Sequence, residues 1–346
     1  RKGRKVTMYA SLLMMGISTS IIGILPPAAS AGVGVVIVLQ LMRLAQCFGR
    51  GGTWGGGILM AYENVPENKR SFYAAIPQIG LPIGFGLSSI LIAVPTLLLP
   101  EDIFFTWGWR IPFLAAIILT LIVIRQKGEM METEDYKKAQ AKLEAEEAEG
   151  KKHKVGFIPM VKGYWKTLLL GCGTRWVDGT FYNIFIVWIL SYCINWLGMP
   201  LIQTYIITII ACIFKIPFTL FGGWCAQKLG NTRTFVIGAL ASAVLSIPTL
   251  KVIELSKGNL AITIIGIVLG WSIAYNLIWA VISSLWSSYF ETEVRYSGIS
   301  FVYHVPSFLV AGMVPTICTL LINYGKGDTI YVGIYSTVVA LISAAC

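Results

Sequence analysis

The sequence predicts an all-α membrane protein, and three observations lead to this fold class. Hydrophobic residues make up 56% of the 346 residues and charged residues only 13%, about half of the roughly 25% found in soluble domains. Apolar runs that reach the roughly 20 residues needed to cross a bilayer recur along the whole chain. The basic residues fall mainly in the short gaps between these runs. An ordinary soluble enzyme is excluded, because so few charges cannot cover the surface of a soluble protein of this length.

Ten apolar runs predict ten membrane-spanning helices. Their approximate limits are 6–25, 33–60, 71–99, 108–125, 164–194, 200–225, 233–253, 260–288, 297–322 and 329–346. The segment between the fourth and fifth runs is rich in Glu, Lys and Ala, and we interpret residues 126–163 as a solvated linker. This linker divides the chain into an N-terminal half, 1–125, and a C-terminal half, 164–346.

The distribution of Lys and Arg predicts the orientation of the spans. With the N-terminus inside, 19 of the 27 basic residues lie in inside segments, 4 lie in outside segments and 4 lie within spans. Because Lys and Arg accumulate on the cytoplasmic side, we expect the N-terminus and the linker to be cytoplasmic in a multi-pass protein of the cell (inner) membrane. Basic residues placed in this way indicate a lipid bilayer as partner and no nucleic acid.

The cysteines have no short spacing typical of a metal site or a disulfide framework, and we expect free, buried thiols. They are Cys47, Cys172, Cys193, Cys212, Cys225, Cys318 and Cys346.

The start of the chain resembles the inside of a loop, because residues 1–5 are basic apart from Gly3. A second basic, glycine-containing loop, residues 228–233, precedes the seventh run. If the two loops correspond, two further spans precede Arg1. The protein then consists of two related six-span halves, which is an architecture of transporters.

Six short motifs, in chain order, resemble those of the major facilitator superfamily and, within it, of the metabolite–proton symporter family. They lie at residues 1–5, 43–46, 51–56, 76–84, 109–113 and 294–298. The resemblance implies a major facilitator fold, with two pseudo-symmetric helical halves around a central cavity and about ten of twelve helices present, spans three to twelve. It also implies secondary transport by alternating access, with Gly3, Arg4 and Lys5 in a gating loop.

Two positions depart from the family pattern and bear on proton handling. Thr53 and Ser288 stand where the family usually has glutamates. The sequence therefore leaves open both proton-coupled symport and an uncoupled facilitator or exchanger.

The charges inside the predicted spans indicate the substrate. A charge at a helix centre costs roughly 2.5–3.5 kcal/mol, which makes each a functional candidate. They are Arg43, Arg50, Arg175, Lys215 and Asp178. The positive surplus favours an anion, and we expect a small carboxylate metabolite. A zwitterion such as proline or betaine is the alternative.

The spacing of Arg175 and Asp178 places them on one helix face, where they can pair. Protonation of Asp178 would then release Arg175 for a substrate carboxylate. The alternative is a structural ion pair that neutralises itself.

The remaining site candidates are polar groups within the spans. The substrate-binding set is Arg43, Gln46, Arg175, Lys215, Asn183, Tyr275, Asn276 and Trp279, and the proton-coupling set is Asp178, Arg43 and His304. Each has a structural alternative. Arg43 can bind helix carbonyls, Arg50 and Lys215 can reach the headgroups, and the others can serve as core or helix-packing contacts.

Other functional classes fit less well. Two histidines and a single deep carboxylate form no metal or hydrolytic constellation, so we expect no enzyme, no metal and no cofactor. A transporter-like sensor that moves no solute remains as the non-transport alternative. We expect a monomer that binds a small-molecule substrate and protons.

Overall fold

In a computed structural model the chain is a bundle of helices. The structure describes residues 4–27, 32–125, 157–292 and 294–346, and no strand occurs within these ranges. Seven helices have the length and apolar composition needed to cross a membrane, and three shorter apolar helices accompany them. Together they occupy the ten predicted runs.

The helices before residue 126 form a first group. They are α1 Arg4–Ile24, α2 Val33–Glu63, α3 Glu67–Leu98, the short α4 Glu101–Thr106 and α5 Ile111–Arg125. Helix α3 contains Pro77, which begins a short 3₁₀ turn because its ring removes a backbone donor. Residues 126–156, most of the predicted linker, lie outside the described residues.

The helices after residue 156 form a second group. They are the short α6 Phe157–Gly163, then α7 Trp165–Asn195, α8 Leu201–Leu229, α9 Asn231–Leu255, α10 Leu260–Ser288, α11 Arg295–Tyr324 and α12 Ile330–Ala345. Two of them contain π-helical turns, Asn183–Trp188 in α7 and Val268–Ala274 in α10. Such turns widen a helix locally and are frequent at functional sites.

Some helix limits differ by a few residues from the predicted ones. Helix α2 runs to Glu63, three residues past its predicted end, and the Glu63 carboxylate there is paired with Arg295 at 3.0 Å. Between α8 and α9, Gly230 alone makes the turn, with a φ of 89° that favours glycine.

Helices α7 and α10 lie at the centre of the second group. They are the most deeply buried of the long helices, whereas most of the apolar stretch of α2 is exposed. The charged residues on the buried face of α7 therefore lie inside the bundle.

The two groups meet where α3 packs on α8 and α10. A Cβ atom added at Gly223 of α8 would stand 2.7 Å from the Cβ of Ala75 in α3. The glycine lets the two helices approach each other. A second connection is the ion pair between Glu63 of α2 and Arg295 of α11, which lies at the predicted cytoplasmic end.

All seven cysteines are free, as predicted, but they are not all buried. Cys193, Cys212 and Cys318 are buried, whereas Cys47 and Cys346 are exposed. Cys47 is exposed because it lies on a face of α2 that no described helix covers.

Candidate functional site

A buried cluster of polar side chains joins α7, α10 and α11. The Asp178 carboxylate, only 1% exposed, accepts hydrogen bonds from the Arg175 guanidinium and from the Tyr275 hydroxyl. Arg175 Nη2 donates to Ser307 Oγ at 3.1 Å. The predicted pair of Arg175 and Asp178 therefore exists, and it sits at a three-helix junction. We call Arg175, Asp178, Tyr275 and Ser307 the central cluster.

The local structure of α7 places the pair. Arg175 and Asp178 are three residues apart, which is close to one helical turn. The π-helical turn begins one turn after Asp178, at Asn183. The Asn183 side chain donates to the Gly179 carbonyl at 2.8 Å, so its amide serves the helix itself in this conformation.

An aromatic stack connects the central cluster to the first group. The Arg175 guanidinium lies over the ring of Tyr303, 4.3 Å from its centroid. The Tyr303 ring stacks on Trp54 of α2, with centroids 4.2 Å apart. Arg175 therefore interacts with both an acid and an aromatic face, which are the two partners that suit a guanidinium best.

Lys215 lies in a cage of aromatic rings. It is the middle residue of α8 and is 0% exposed. Its Nζ is 4.5 Å from the ring centroid of Trp271, 4.3 Å from that of Tyr275 and 5.8 Å from that of Trp279. No hydrogen-bond acceptor for Nζ occurs among the residues that the structure describes.

The aromatic cage can offset much of the cost of a positive charge on Lys215. An isolated charge at a helix centre costs roughly 2.5–3.5 kcal/mol. A desolvated cation–π contact contributes up to about 2 kcal/mol, so three rings are comparable to that cost. The lysine therefore belongs to the core, and the alternative in which it reaches the headgroups does not describe this structure.

Two hydrogen bonds fix the position of α8 along α10 and thereby the position of Lys215. The Asn276 side-chain amide donates to the Lys215 carbonyl at 2.8 Å, and the Ser272 hydroxyl donates to the Ala211 carbonyl at 2.8 Å. Ser272 and Asn276 are about one helical turn apart on α10, and Ala211 and Lys215 are about one turn apart on α8. Asn276, a predicted substrate-binding residue, thus holds two helices together here.

Trp279 makes a reciprocal contact with α3. Its indole Nε1 donates to the Gln78 carbonyl at 3.1 Å, and Gln78 Nε2 donates to the Trp279 carbonyl at 3.0 Å. Trp54 Nε1 also donates to Gln78 Oε1, at 3.3 Å. Gln78 is thereby one of the polar links between the two groups of helices.

The predicted candidates on α2 lie apart from this cluster. Arg43 is exposed and donates to Gln46 Oε1 at 3.4 Å, and Gln46 donates to Thr19 Oγ1 of α1 at 2.7 Å. Arg50 is exposed as well.

The other predicted residues have simpler positions. His304 is half-buried on α11, with its ring edge-on to that of Tyr303 at 5.0 Å. Arg4 and Lys5 begin α1, and Gly3 lies outside the described residues. In the described part of the chain, no group of His, Cys, Asp and Glu could hold a metal ion.

Several residues of the site were not predicted from the sequence, although the helical spacing of some of them could have revealed them. Trp271, Tyr275 and Trp279 are spaced by four residues, which places them along one face of α10. Tyr303 and Ser307 have the same spacing on α11. The missed residues are Trp54, Gln78, Trp271, Tyr303 and Ser307.

An apolar groove of about 550 Å³ lies outside this cluster, between α7, α11 and α12. Trp165, Trp176 and Ile342 are among its lining residues, and none of them is charged. It therefore offers nothing that would bind an ion, and the candidate site remains the charged cluster.

A charged network lies at the end of α9, next to the loop before α12. Lys251 Nζ donates to Asp328 Oδ1 at 2.7 Å and to Glu254 at 3.0 Å, while Thr329 donates to Glu254. Hydrogen bonds from Lys251 and from the backbone of Ile330 lower the pKa of Asp328. This network ties the end of α9 to the start of α12.

Comparison with known proteins agrees with the fold and the sequence motifs. The family model for the Major Facilitator Superfamily matches residues 1–315. The inner membrane metabolite transport protein YhjE of Escherichia coli K12 is 32% identical over 98% of this chain and 76% of its own length. The shikimate transporter of the same organism is 30% identical over 99% of this chain and 77% of its own length. A proline/betaine transporter from that organism is 28% identical over 93% of this chain and 64% of its own length.

A solved structure shows the same fold. The proton:xylose symporter XylE, bound to 6-bromo-6-deoxy-D-glucose, matches with a TM-score of 0.77 over 100% of this chain and 79% of that one. At 16% sequence identity this likeness concerns the fold alone.

Proposed function

This chain belongs to the Major Facilitator Superfamily, and we propose that it carries a small carboxylate metabolite together with protons. It is a multi-pass membrane transporter of metabolites and not an enzyme, as the family match and the related transporters show. The proposal concerns the class of substrate, the coupling and the residues.

The observation that carries the proposal is the charge balance of the buried site. Arg175, Lys215 and Asp178 are each at most 6% exposed, so two basic side chains share the buried site with one carboxylate. One of these basic groups, Lys215, has no acidic partner among the described residues, and a basic group in a low dielectric that can pair with a carboxylate favours an anionic guest.

We propose that Arg175 receives the substrate carboxylate. A guanidinium forms paired hydrogen bonds with a carboxylate, and Asp178 occupies that position in this conformation. The substrate therefore competes with Asp178 for Arg175. Before the substrate arrives, the contacts favour an ionised Asp178, because two donors satisfy its carboxylate.

The aromatic cage favours an anion over a zwitterion with a quaternary ammonium group. Such ammonium groups bind inside aromatic cages. Here the rings of Trp271, Tyr275 and Trp279 already surround the Lys215 side-chain nitrogen. Among the relatives, the shikimate transporter is named for a carboxylate without such a group, whereas the proline/betaine transporter is named for zwitterions.

Alternating access would proceed through the contacts between the helix groups. The Gln78–Trp279 hydrogen bonds and the Glu63–Arg295 ion pair join the first group to the second. We propose that opening towards the predicted cytoplasmic side breaks the ion pair and exposes the central cluster. The halves assigned from the sequence, 1–125 and 164–346, are the bodies proposed to move.

An uncoupled facilitator or exchanger is the second candidate, and one observation favours it. The Thr53 hydroxyl donates to the Arg50 carbonyl at 3.1 Å, and the Ser288 hydroxyl donates to the Leu285 carbonyl at 2.7 Å. Neither group binds a proton at neutral pH. Coupling then requires one of the titratable side chains inside the spans, of which Asp178, Lys215 and His304 are the candidates.

Transport in proteoliposomes tests the proposal. Labelled shikimate, succinate, proline and betaine are supplied with and without an inward proton gradient, and methyl shikimate serves as the uncharged control. We expect accumulation of a carboxylate that needs the gradient and is not inhibited by the ester. Preference for betaine would contradict the substrate class, gradient-independent equilibration would favour the facilitator, and no transport of any solute would favour a sensor.

A further inference from the structure

We infer that Lys215 is the proton carrier of this transporter: its amine takes up a proton as the substrate carboxylate binds and releases it as the substrate leaves. The inference rests on the proposed function, because it requires an anionic substrate. It goes further by assigning the proton to one side chain, which the sequence analysis placed only among the substrate-binding residues.

The first support is the position of Lys215. The residue stands halfway along a membrane-spanning helix, is fully buried, and has no hydrogen-bond acceptor for Nζ among the described residues. Trp279, one wall of its cage, also contacts Gln78 of the first group. The cage therefore lies where the two groups of helices meet, and their separation would open it.

The second support is that the cage leaves both forms of the side chain accessible. Burial without a hydrogen-bond partner opposes the charged ammonium, while the faces of the rings attract it. These opposing effects place the side chain where one additional negative charge decides its state. A substrate carboxylate next to Nζ supplies that charge.

The third support is that other titratable groups do not neutralise Lys215. Tyr275 faces it from α10, and Cys212 faces it from the preceding turn of α8. Asp178 and Arg175 of α7 lie beyond Tyr275, already paired with each other. On the other elements packed against α8, Tyr182 lies near the middle of α7 and bears a hydroxyl and no carboxylate. The others lie nearer the ends of their elements: Glu67, Lys69, Arg70 and Tyr73 of α3, Lys166, Cys172, Tyr192 and Cys193 of α7, and Arg233, Lys251 and Glu254 of α9.

Asp178 suits the role of proton carrier less well. Two donors hold its carboxylate, so protonation would have to displace at least one of them. Lys215 has no such bond to break. This difference favours protonation of Lys215 over protonation of Asp178 when the substrate binds.

The proton balance follows from the chemistry of the amine. As the carboxylate arrives, the lone pair of Nζ binds a proton delivered by water, and an N–H bond forms. When the site reorients, the bound proton and the carboxylate change sides together, with no net charge added to the site. On the other side the N–H bond breaks, the proton returns to water, and the carboxylate loses its partner and leaves.

Proton uptake on binding tests the inference directly. The purified full chain in weakly buffered detergent is mixed with shikimate and, separately, with succinate, and a pH indicator counts protons while calorimetry measures binding. We expect about one proton taken up per shikimate bound, and none in Lys215→Gln. The matched control, Lys69→Gln at an exposed position, should behave as the unchanged protein.

The outcomes separate the two proposals. Binding of a carboxylate without proton uptake overturns the role of Lys215 and leaves the proposed substrate class intact. Uptake that persists in Lys215→Gln, or that disappears in Asp178→Asn or His304→Gln instead, also overturns it. If neither carboxylate binds, the proposed substrate class fails and this inference fails with it.

A substitution that keeps the charge supplies a second test. Lys215→Arg retains a cation but cannot release its proton, because a guanidinium stays protonated in proteins. We expect this variant to exchange labelled for unlabelled shikimate, and to lose accumulation driven by a proton gradient. Full gradient-driven accumulation in a folded Lys215→Arg protein would overturn the inference. If that variant does not fold, the proton count on the unchanged protein still decides.

Discussion

At the scale of single residues, Asp178 shows how a carboxylate is kept inside a bundle of apolar helices. It pairs with a cation one turn earlier on its own helix and accepts a second hydrogen bond from Tyr275, a residue 97 positions away. Both contacts compensate for the water that the carboxylate loses. The same contacts hold Arg175 in the position where a substrate carboxylate can replace Asp178.

Removal of this carboxylate charge should destabilise the empty protein and favour the substrate. We expect Asp178→Asn to lower the melting temperature without substrate, because a buried cation that loses its partner costs about 3–5 kcal/mol. Shikimate should raise the melting temperature of this variant more than that of the unchanged protein. Ser307→Ala, which removes one hydrogen bond to Arg175, is the milder control. Equal melting temperatures for Asp178→Asn and the unchanged protein would contradict this account.

At the scale of helices, close packing of α8 decides how the groups dock. It lies between α3 and α10, and small residues let it approach both of them. A Cβ atom at Gly223 would collide with Ala75 of α3, and one at Gly222 would stand 2.6 Å from the Cβ of Ala280 in α10. Lys215 reaches its cage because this close packing brings α10 within the length of its side chain.

A larger side chain at the α3–α8 contact should reduce transport. Gly223→Leu overpacks the contact, which costs about 1–3 kcal/mol and lowers the population of the docked state roughly 5- to 150-fold. Gly84→Leu on the exposed face of α3 is the matched control, since nothing lies within 4 Å of its added Cβ atom. Uptake assays should show a loss for Gly223→Leu alone. Equal transport by both variants would mean that the contact is dispensable.

The network between α9 and α12 should make stability depend on acid. Because hydrogen bonds from Lys251 and Ile330 lower the pKa of Asp328, the stabilisation is present above the ordinary carboxyl range. It is lost as the pH falls through the lowered pKa, when the carboxylate takes up a proton. Melting temperature measured from pH 7 to pH 3 should fall less steeply in Asp328→Asn. An identical slope for the variant would exclude Asp328 as a source of the acid sensitivity.

At the scale of the whole molecule, the two groups of helices are joined by few polar contacts, as alternating access requires. The Gln78–Trp279 pair lies among the buried helices, and the Glu63–Arg295 pair lies at the predicted cytoplasmic end. Packed interfaces of this kind have discrete arrangements and do not deform continuously. A few contacts can therefore set which arrangement prevails.

The ion pair between Glu63 and Arg295 should act as a latch, that is, it should hold the two groups together, and it should still do so when the two charges are exchanged. Glu63→Arg alone places two cations together and should lower the transport rate at least several-fold by opening that end. The double variant Glu63→Arg with Arg295→Glu should restore transport, because the attraction returns with its direction exchanged. Transport rates in proteoliposomes measure both effects. A double variant no better than the single ones would indicate that the pair does not act as a latch.

The sequence by itself determined the features that depend on neighbouring residues. It predicted ten helices, because each run has its own length and hydropathy. It also predicted the pairing of Arg175 with Asp178, which follows from their spacing on one helix. The aromatic stripe of α10 could have been found in the same way.

Tertiary structure alone decided which distant groups meet. Tyr275 finds Asp178, Gln78 finds Trp279 and the rings of α10 enclose Lys215 because helices far apart in sequence pack side by side. Helical periodicity states which residues share a face, and the closeness of helix packing decides what that face touches.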